Sequence, residues 1–126
     1  MTKSKKQILI VDDEPSWVKV LSLILRRQGF QVLEATSGKE ALKTLSGLRP
    51  DLILSDVRMP DMNGFDFLDE VRRTARNSTT PVVFLSGIDD YDAKKIARTL
   101  GATDYLIKPF DENDVLSILS KHLKFK

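Results

Sequence analysis

Five polar residues in this chain follow short apolar runs directly. ILIV (residues 8–11) meets Asp12 and Asp13, DLILS meets Asp56, VVFL meets Ser86, and YLI meets Lys108 and Pro109. Runs of this length and β-branched content read as buried strands, which places the residue that follows at the strand's carboxyl end. In open parallel sheets those ends form the crevice where ligands bind. Three carboxylates gathered there repel one another unless a cation joins them or some hold protons. The candidate ligand atoms are all oxygens, which favours a hard ion such as Mg²⁺. Mg²⁺ keeps several waters and prefers one or two carboxylates plus a phosphate oxygen. Lys108 adds a positive charge and the Ser86 hydroxyl a hydrogen-bond donor for a phosphoryl oxygen. Together these parts suit phosphoryl transfer, in which catalysis is mostly positioning and charge neutralisation. A carboxylate can itself be the acceptor, forming an aspartyl phosphate. Asp56 is the candidate, because it stands alone after the central strand while the other two come as a pair.

Positioning these groups requires strands alternating with helices, and the chain reads that way from end to end. After Ile8–Val11, the segment from Pro15 to Gln28 carries Val18, Leu21 and Leu25 at helical spacing, with Pro15 suited to a first turn and Gly29 to a stop. Val32 to Ala35 reads as a second strand. Ser37-Gly38-Lys39-Glu40 is a capping-box pattern ahead of a helix with Ala41, Leu42 and Leu45. Pro50 separates that helix from a third strand, Leu52 to Ser55. A third helix opens after Asn63-Gly64 and carries Leu68, Val71 and Ala75. Pro81 to Leu85 reads as a fourth strand, Ala93, Ile96, Ala97 and Leu100 as a helix ending at Gly101, and Thr103 to Ile107 as a fifth strand. Asp111 is the expected N-cap of a last helix with Val115, Leu119 and Leu123. Five βα units in a row predict an α/β fold: a doubly wound, five-stranded parallel sheet with right-handed crossovers and helices on both faces. Five strands suit the flavodoxin-like order 2-1-3-4-5, which sets Asp12 and Asp13 across the topological switch point from Asp56.

Length and composition bound the reading. A chain of 126 residues forms one domain, able to bury roughly two thirds of its unfolded surface. Twenty basic against eighteen acidic side chains leave a net charge of +2, too small to argue for nucleic acid. Without cysteine there is neither a disulfide frame nor a thiolate zinc site. No apolar stretch exceeds four residues, the length of Ile8 to Val11, far short of a membrane span, and the run after the first lysines meets acidic residues too soon for a signal peptide. A cytoplasmic protein is expected.

Four segments carry a family likeness: ILIVDDEP, DLILSDVRMPDMNG, VVFLSG and GATDYLIKPF. In this order and spacing the chain resembles the CheY-like receiver domain of two-component response regulators over essentially its whole length. The resemblance implies that Asp56 accepts a phosphoryl group from a partner's phosphohistidine, on a sensor histidine kinase or a histidine phosphotransfer protein. It also implies that Asp12 and Asp13 hold Mg²⁺ beside Asp56, with the Arg58 backbone carbonyl completing the protein ligands. By the same likeness Ser86 is the switch hydroxyl, Lys108 the phosphate-pairing lysine, and Tyr105 the aromatic switch residue. The family commonly has a cis peptide where Lys108-Pro109 stands. Phosphorylation then reshapes the face formed by the helix before the fifth strand, that strand and the last helix. A downstream effector, an output domain or a second copy in a homodimer reads that face. Arg58 and Ile88, each two residues beyond a site residue, occupy positions that in this family flank the path of the hydrolytic water. Ile88 cannot orient a water and Arg58 obstructs it, so a long-lived phosphoaspartate is expected.

Other readings attach to the same residues. Asp12-Asp13 alone fits the acidic preference of a helix N-terminus, and Ser86-Gly87 a plain turn. His122, the chain's one histidine, fits a cation in a last helical turn, so the phosphodonor must come from another molecule. Arg72, Arg73, Arg76, Lys94, Lys95 and Arg98 read as a solvated basic face, with no interleaved aromatics for nucleic-acid stacking. Met59 and Met62 read as packing. An aspartate-nucleophile phosphohydrolase is disfavoured because Arg58 stands where such enzymes carry a second aspartate. A fragment of a longer regulator with a DNA-binding or enzymatic output remains the alternative to a stand-alone protein. The MTKSKK start reads as a native N-terminus, and no room for an output follows the last helix within the chain.

Overall fold

The computed structural model describes residues 5–87, 95 and 97–123. Five strands form one sheet: β1 (Gln7–Val11), β2 (Gln31–Ala35), β3 (Leu52–Asp56), β4 (Val82–Ser86) and β5 (Asp104–Ile107). The sheet is parallel throughout and ordered β2-β1-β3-β4-β5. Among the described residues four helices with complete bounds accompany it: α1 (Pro15–Arg27), α2 (Gly38–Leu45), α3 (Gly64–Arg73) and α4 (Glu112–His122). Helical backbone is also present at residues 95 and 97–99.

Period-two alternation along the strands divides the core. Ile8, Ile10, Leu52, Leu54, Val83 and Leu85 face one side, where α1 brings Val18, Leu21 and Leu25 and α4 brings Val115, Ile118 and Leu119. Leu9, Val11, Ile53, Val82 and Phe84 face the other, against Ala41 and Leu45 of α2, Phe67, Leu68 and Val71 of α3, and Ala97. Both faces are covered, which is why the central strands are continuously apolar. The predicted doubly wound α/β fold and its strand order are borne out.

The glycine stops are explicit. Gly29 follows α1 at φ +92°, with its N–H on the Arg26 carbonyl and the Phe30 N–H on the Leu25 carbonyl. Gly101 repeats the pattern at φ +98°, with its N–H on Arg98 and that of Ala102 on Ala97. These two paired bonds close the orphan carbonyls of a helix end in a left-handed turn.

Local expectations are corrected at several points. β4 and β5 begin one residue later than expected, at Val82 and Asp104, while β3 and β4 extend to Asp56 and Ser86. Ala75 lies beyond α3 and is exposed, because Thr74 leaves helical backbone at ψ 134°. Ser37 accepts from the Glu40 N–H, yet the Glu40 carboxylate returns to Thr36 N–H, so the capping box is not reciprocal at Ser37. Asp61, from the loop after β3, instead takes the Gly38 and Lys39 N–H groups. The reciprocal box occurs at α4, between Asp111 and Asp114. Leu100 is exposed rather than packed. Ala93, Ile96, Ile88 and Lys94 lie outside the described residues.

Candidate functional site

Strand register brings the polar residues together. Val11 pairs with Ser55, so the next residues, Asp12 and Asp56, stand level at the edge between β1 and β3. Asp56 pairs with Leu85 and Ser86 with Ile107, which steps Ser86 and then Lys108 along the same rim. The Lys108 N–H donates to the Ser86 carbonyl at 2.7 Å, closing that end of the sheet. Lys108-Pro109 is a cis peptide. An open cleft of about 610 Å³ results, lined by Asp13, Glu14, Trp17, Asp56, Arg58, Ser86, Gly87, Lys108 and Pro109.

Asp12 is fully buried and both its oxygens are used. Oδ1 accepts the Glu14 N–H at 2.9 Å, shaping the turn into α1, and Oδ2 accepts the Lys108 ammonium at 2.9 Å. Asp13 is exposed at the mouth. Asp56 is buried; its Oδ1 accepts the Val57 N–H at 2.8 Å and its Oδ2 lies 3.7 Å from Lys108 Nζ. Burial, and next the charge of Asp12, push the Asp56 carboxyl up to about 6, against the opposing pull of Lys108 and the N–H groups of Val57 and Arg58.

One carboxylate oxygen from each of Asp12, Asp13 and Asp56 lies within 4.8 Å of the others. Among the described residues this is the one such cluster. Three carboxylates against a single ammonium leave excess negative charge, and the donors are all hard oxygens, so the set fits Mg²⁺. Asp13 keeps its side toward solvent, where an ion that retains waters needs it.

The loop after Asp56 is held by a close approach. The Gly64 N–H donates to the Val57 carbonyl at 2.7 Å, and a Cβ on Gly64 would stand 2.5 Å from the Asp56 carbonyl oxygen. Glycine is required there by space. Asn63 caps α3 from the same turn, accepting the Asp66 N–H. Met59 is buried, as expected for packing.

Tyr105, on β5 two strands from Asp56, is half-buried, with its ring 6.5 Å from that of Phe84 in an edge-to-face arrangement. Phe84 in turn contacts Phe65 edge-to-face at 5.5 Å. This aromatic row runs from β5 to the start of α3, with the Phe84 ring close to Gly64.

Three features were not legible in the sequence. His122 is more than a helix-end cation: its Nε2 pairs with Asp104 Oδ2 at 2.8 Å, tying α4 to the start of β5. Arg72 leaves the basic face, donating to the carbonyls of Asn77, Thr80 and Gly101. Trp17 lines the cleft and holds its ring 5.1 Å from Lys108 Nζ. Its place in the first turn of the helix that follows the acidic pair was the available clue.

Fold and site define a class of protein: a parallel five-stranded α/β module with an acidic, lysine-bearing pocket at the carboxyl edge of its sheet. The response regulator receiver domain family matches residues 8–120, and the chain belongs to it. The regulatory protein AtoC of Escherichia coli is 36% identical over 95% of this chain, which spans 26% of AtoC's own length. Protein PilH of Pseudomonas aeruginosa is 35% identical over 90% of this chain and 94% of PilH. The chemotaxis protein CheY4 of Vibrio cholerae superposes with a TM-score of 0.91 at 35% identity, covering 95% of this chain and all of that one. The receiver domain of sensor histidine kinase PA1611 from Pseudomonas aeruginosa was solved with a magnesium ion in its active-site cleft. It superposes at 0.87 with 28% identity, covering 94% and 98% of the two chains. This chain is thus a CheY-like receiver domain, a signalling module of two-component systems. No helix among the described residues is long and apolar enough to cross a membrane.

Proposed function

We propose that residues 1–126 form a single receiver domain in which Asp56 is the phosphoacceptor. The observation that carries this reading is the placement of the Asp56 carboxylate, clustered with those of Asp12 and Asp13 and 3.7 Å from the Lys108 ammonium. An Asp56 oxygen attacks the phosphorus of a phosphohistidine protonated on its other ring nitrogen; the P–O bond forms, the P–N bond breaks, and the donor leaves as neutral imidazole, keeping that proton. Asp12, Asp13, Asp56 and the Arg58 carbonyl would hold Mg²⁺, which would offset charge on the phosphoryl oxygens. Lys108 moves from Asp12 toward the phosphoryl oxygens, and the Ser86 hydroxyl donates to another.

Ser86 and Lys108 close the ends of β4 and β5, so their displacement is felt along β5 at Tyr105. Inward rotation of Tyr105 biases an existing equilibrium toward a second arrangement of the surface formed by residues 97–100, β5 and α4. The donor is a sensor histidine kinase or a histidine phosphotransfer protein; the reader is an effector, an output domain or a second copy. Catalysis is confined to the domain's own phosphorylation and dephosphorylation, in the cytoplasm and without contact to nucleic acid or membrane.

Incubation with Mg²⁺ and acetyl phosphate tests the reading. A mass gain of one phosphate, absent in Asp56→Asn, supports it. Rapid release of inorganic phosphate over many turnovers contradicts it in favour of a phosphohydrolase. A second reading, the receiver portion of a longer regulator, is supported by the length of AtoC. An open reading frame continuing beyond Lys126 would support that second reading.

A further inference from the structure

Lys108, the first residue beyond β5, must reach a phosphoryl group, and contacts from other segments fix where its ammonium waits. Its side chain is only 9% exposed, so the charge is largely removed from water. Asp12 and Asp56 take two sides of it, at 2.9 and 3.7 Å. Near a third lies the indole of Trp17, with the ring centroid 5.1 Å from Nζ. A cation within about 6 Å of an aromatic face is attracted by the ring quadrupole, most strongly by indole. The contact adds no negative charge to a pocket already crowded with carboxylates. It is also undemanding in direction, so it holds the ammonium while leaving it free to shift between oxygens.

Trp17 is itself well placed to do this. Its helix begins where the Glu14 N–H meets Asp12 Oδ1, so the carboxylate that receives Lys108 on one oxygen sets the first turn of α1 with the other. The Trp17 ring packs on Phe110 at 4.8 Å, two residues beyond Lys108 across the cis peptide. Asp12, Trp17, Lys108 and Phe110 thereby form a closed ring of contacts between α1 and the segment after β5. We infer that Trp17 is a positioning residue for Lys108, its indole face holding the ammonium within reach of the phosphoryl group on Asp56. This inference rests on Asp56 as the phosphoacceptor.

The test compares Trp17→Phe, which keeps a ring, with Trp17→Leu, which keeps apolar bulk alone, in the full chain. Nuclear magnetic resonance of the Lys108 side chain is read first, without phosphodonor. Its terminal methylene and ammonium protons are expected upfield through the indole ring current, less so in Trp17→Phe, and at ordinary lysine positions in Trp17→Leu. Phosphorylation by acetyl phosphate is read second. Trp17→Leu is expected to slow it about three- to tenfold and Trp17→Phe by less than about twofold. In a Lys108→Met background, Trp17→Leu is expected to add nothing. Ordinary Lys108 shifts in the unsubstituted protein overturn the inference. So does a Trp17→Leu loss of equal size in the Lys108→Met background, which would assign the tryptophan to packing. A chain that takes no phosphate in any form contradicts the receiver reading instead, and the resonance shifts separate that failure from this one.

Discussion

The ammonium of Lys108 rests on the buried carboxylate of Asp12, 2.9 Å away. Asp56, at 3.7 Å, has the weaker hold on it. A cation held by its neighbour leaves Asp56 under-compensated, which accords with a carboxyl pushed up to about 6 by burial and then by Asp12. Asp12→Asn removes a like charge and frees Lys108 to approach Asp56, and both changes favour the ionised form. Titration of the Asp56 carboxyl carbon by nuclear magnetic resonance, without divalent ions, is expected to move down from about 6 toward the ordinary aspartate range. An unchanged or higher value would show that Asp12 does not act on Asp56.

The same raised carboxyl makes a stability prediction. Asp56 titrates near 6 when folded and near 3.8 when unfolded, so between those values the folded state binds more protons. Stability therefore falls as pH rises through that window, and above it the ionised carboxylate is a standing cost. Without divalent ions, Asp56→Asn should stabilise the protein at neutral pH by about 1 kcal/mol, after discount for the solvent-facing side of the cleft. The gain should vanish below about pH 4. Urea unfolding at the two pH values checks both sign and window; a loss of stability at neutral pH would oppose the account.

Gly64 abuts the Asp56 backbone with no room for a side chain: an added Cβ would stand 2.5 Å from the Asp56 carbonyl oxygen and 2.9 Å from Phe84. Gly64→Ala is expected to destabilise by about 2–3 kcal/mol, since backbone and a buried ring must move. Gly47, where an added Cβ meets nothing within 4 Å, is the control, and Gly47→Ala should stay within about 0.5 kcal/mol of the parent. Equal effects at the two positions would contradict the close approach.

How far the site could be read beforehand depended on how local each feature was. Asp12, Asp56, Ser86 and Lys108 were legible because each follows an apolar run, and a parallel sheet carries all such ends to one edge. Helix stops at Gly29 and Gly101 were legible for a similar reason, since a left-handed turn selects glycine within a few residues. Contacts between distant segments were not. Trp17 reaches Lys108 only after α1 and the segment beyond β5 are folded onto the same edge. The Asp104–His122 pair spans 18 residues, and the Arg72 guanidinium is satisfied by three carbonyls that no side-chain pattern advertises. Charge alone made Arg72 look like surface; its partners are backbone.

Arg58 lines the cleft and is exposed, two residues beyond Asp56. On the proposed phosphoaspartate its long side chain would flank the phosphoryl group, so hydrolysis is expected to be slow. A dephosphorylation time course without phosphatase is expected to give a half-life of minutes or longer, shortened in Arg58→Asn. Loss within seconds in the unsubstituted protein would remove Arg58 from this role.

On the proposed reading Asp56, and no other residue, carries the phosphoryl group. Borohydride reduces an acyl phosphate to an alcohol and so converts a phosphorylated aspartate to homoserine. After incubation with Mg²⁺ and acetyl phosphate, reduction and peptide mass analysis should place homoserine at residue 56 alone, and nowhere in Asp56→Asn. Homoserine at Asp12 or Asp13, or an unmodified chain under conditions that phosphorylate a known receiver domain, would contradict the account.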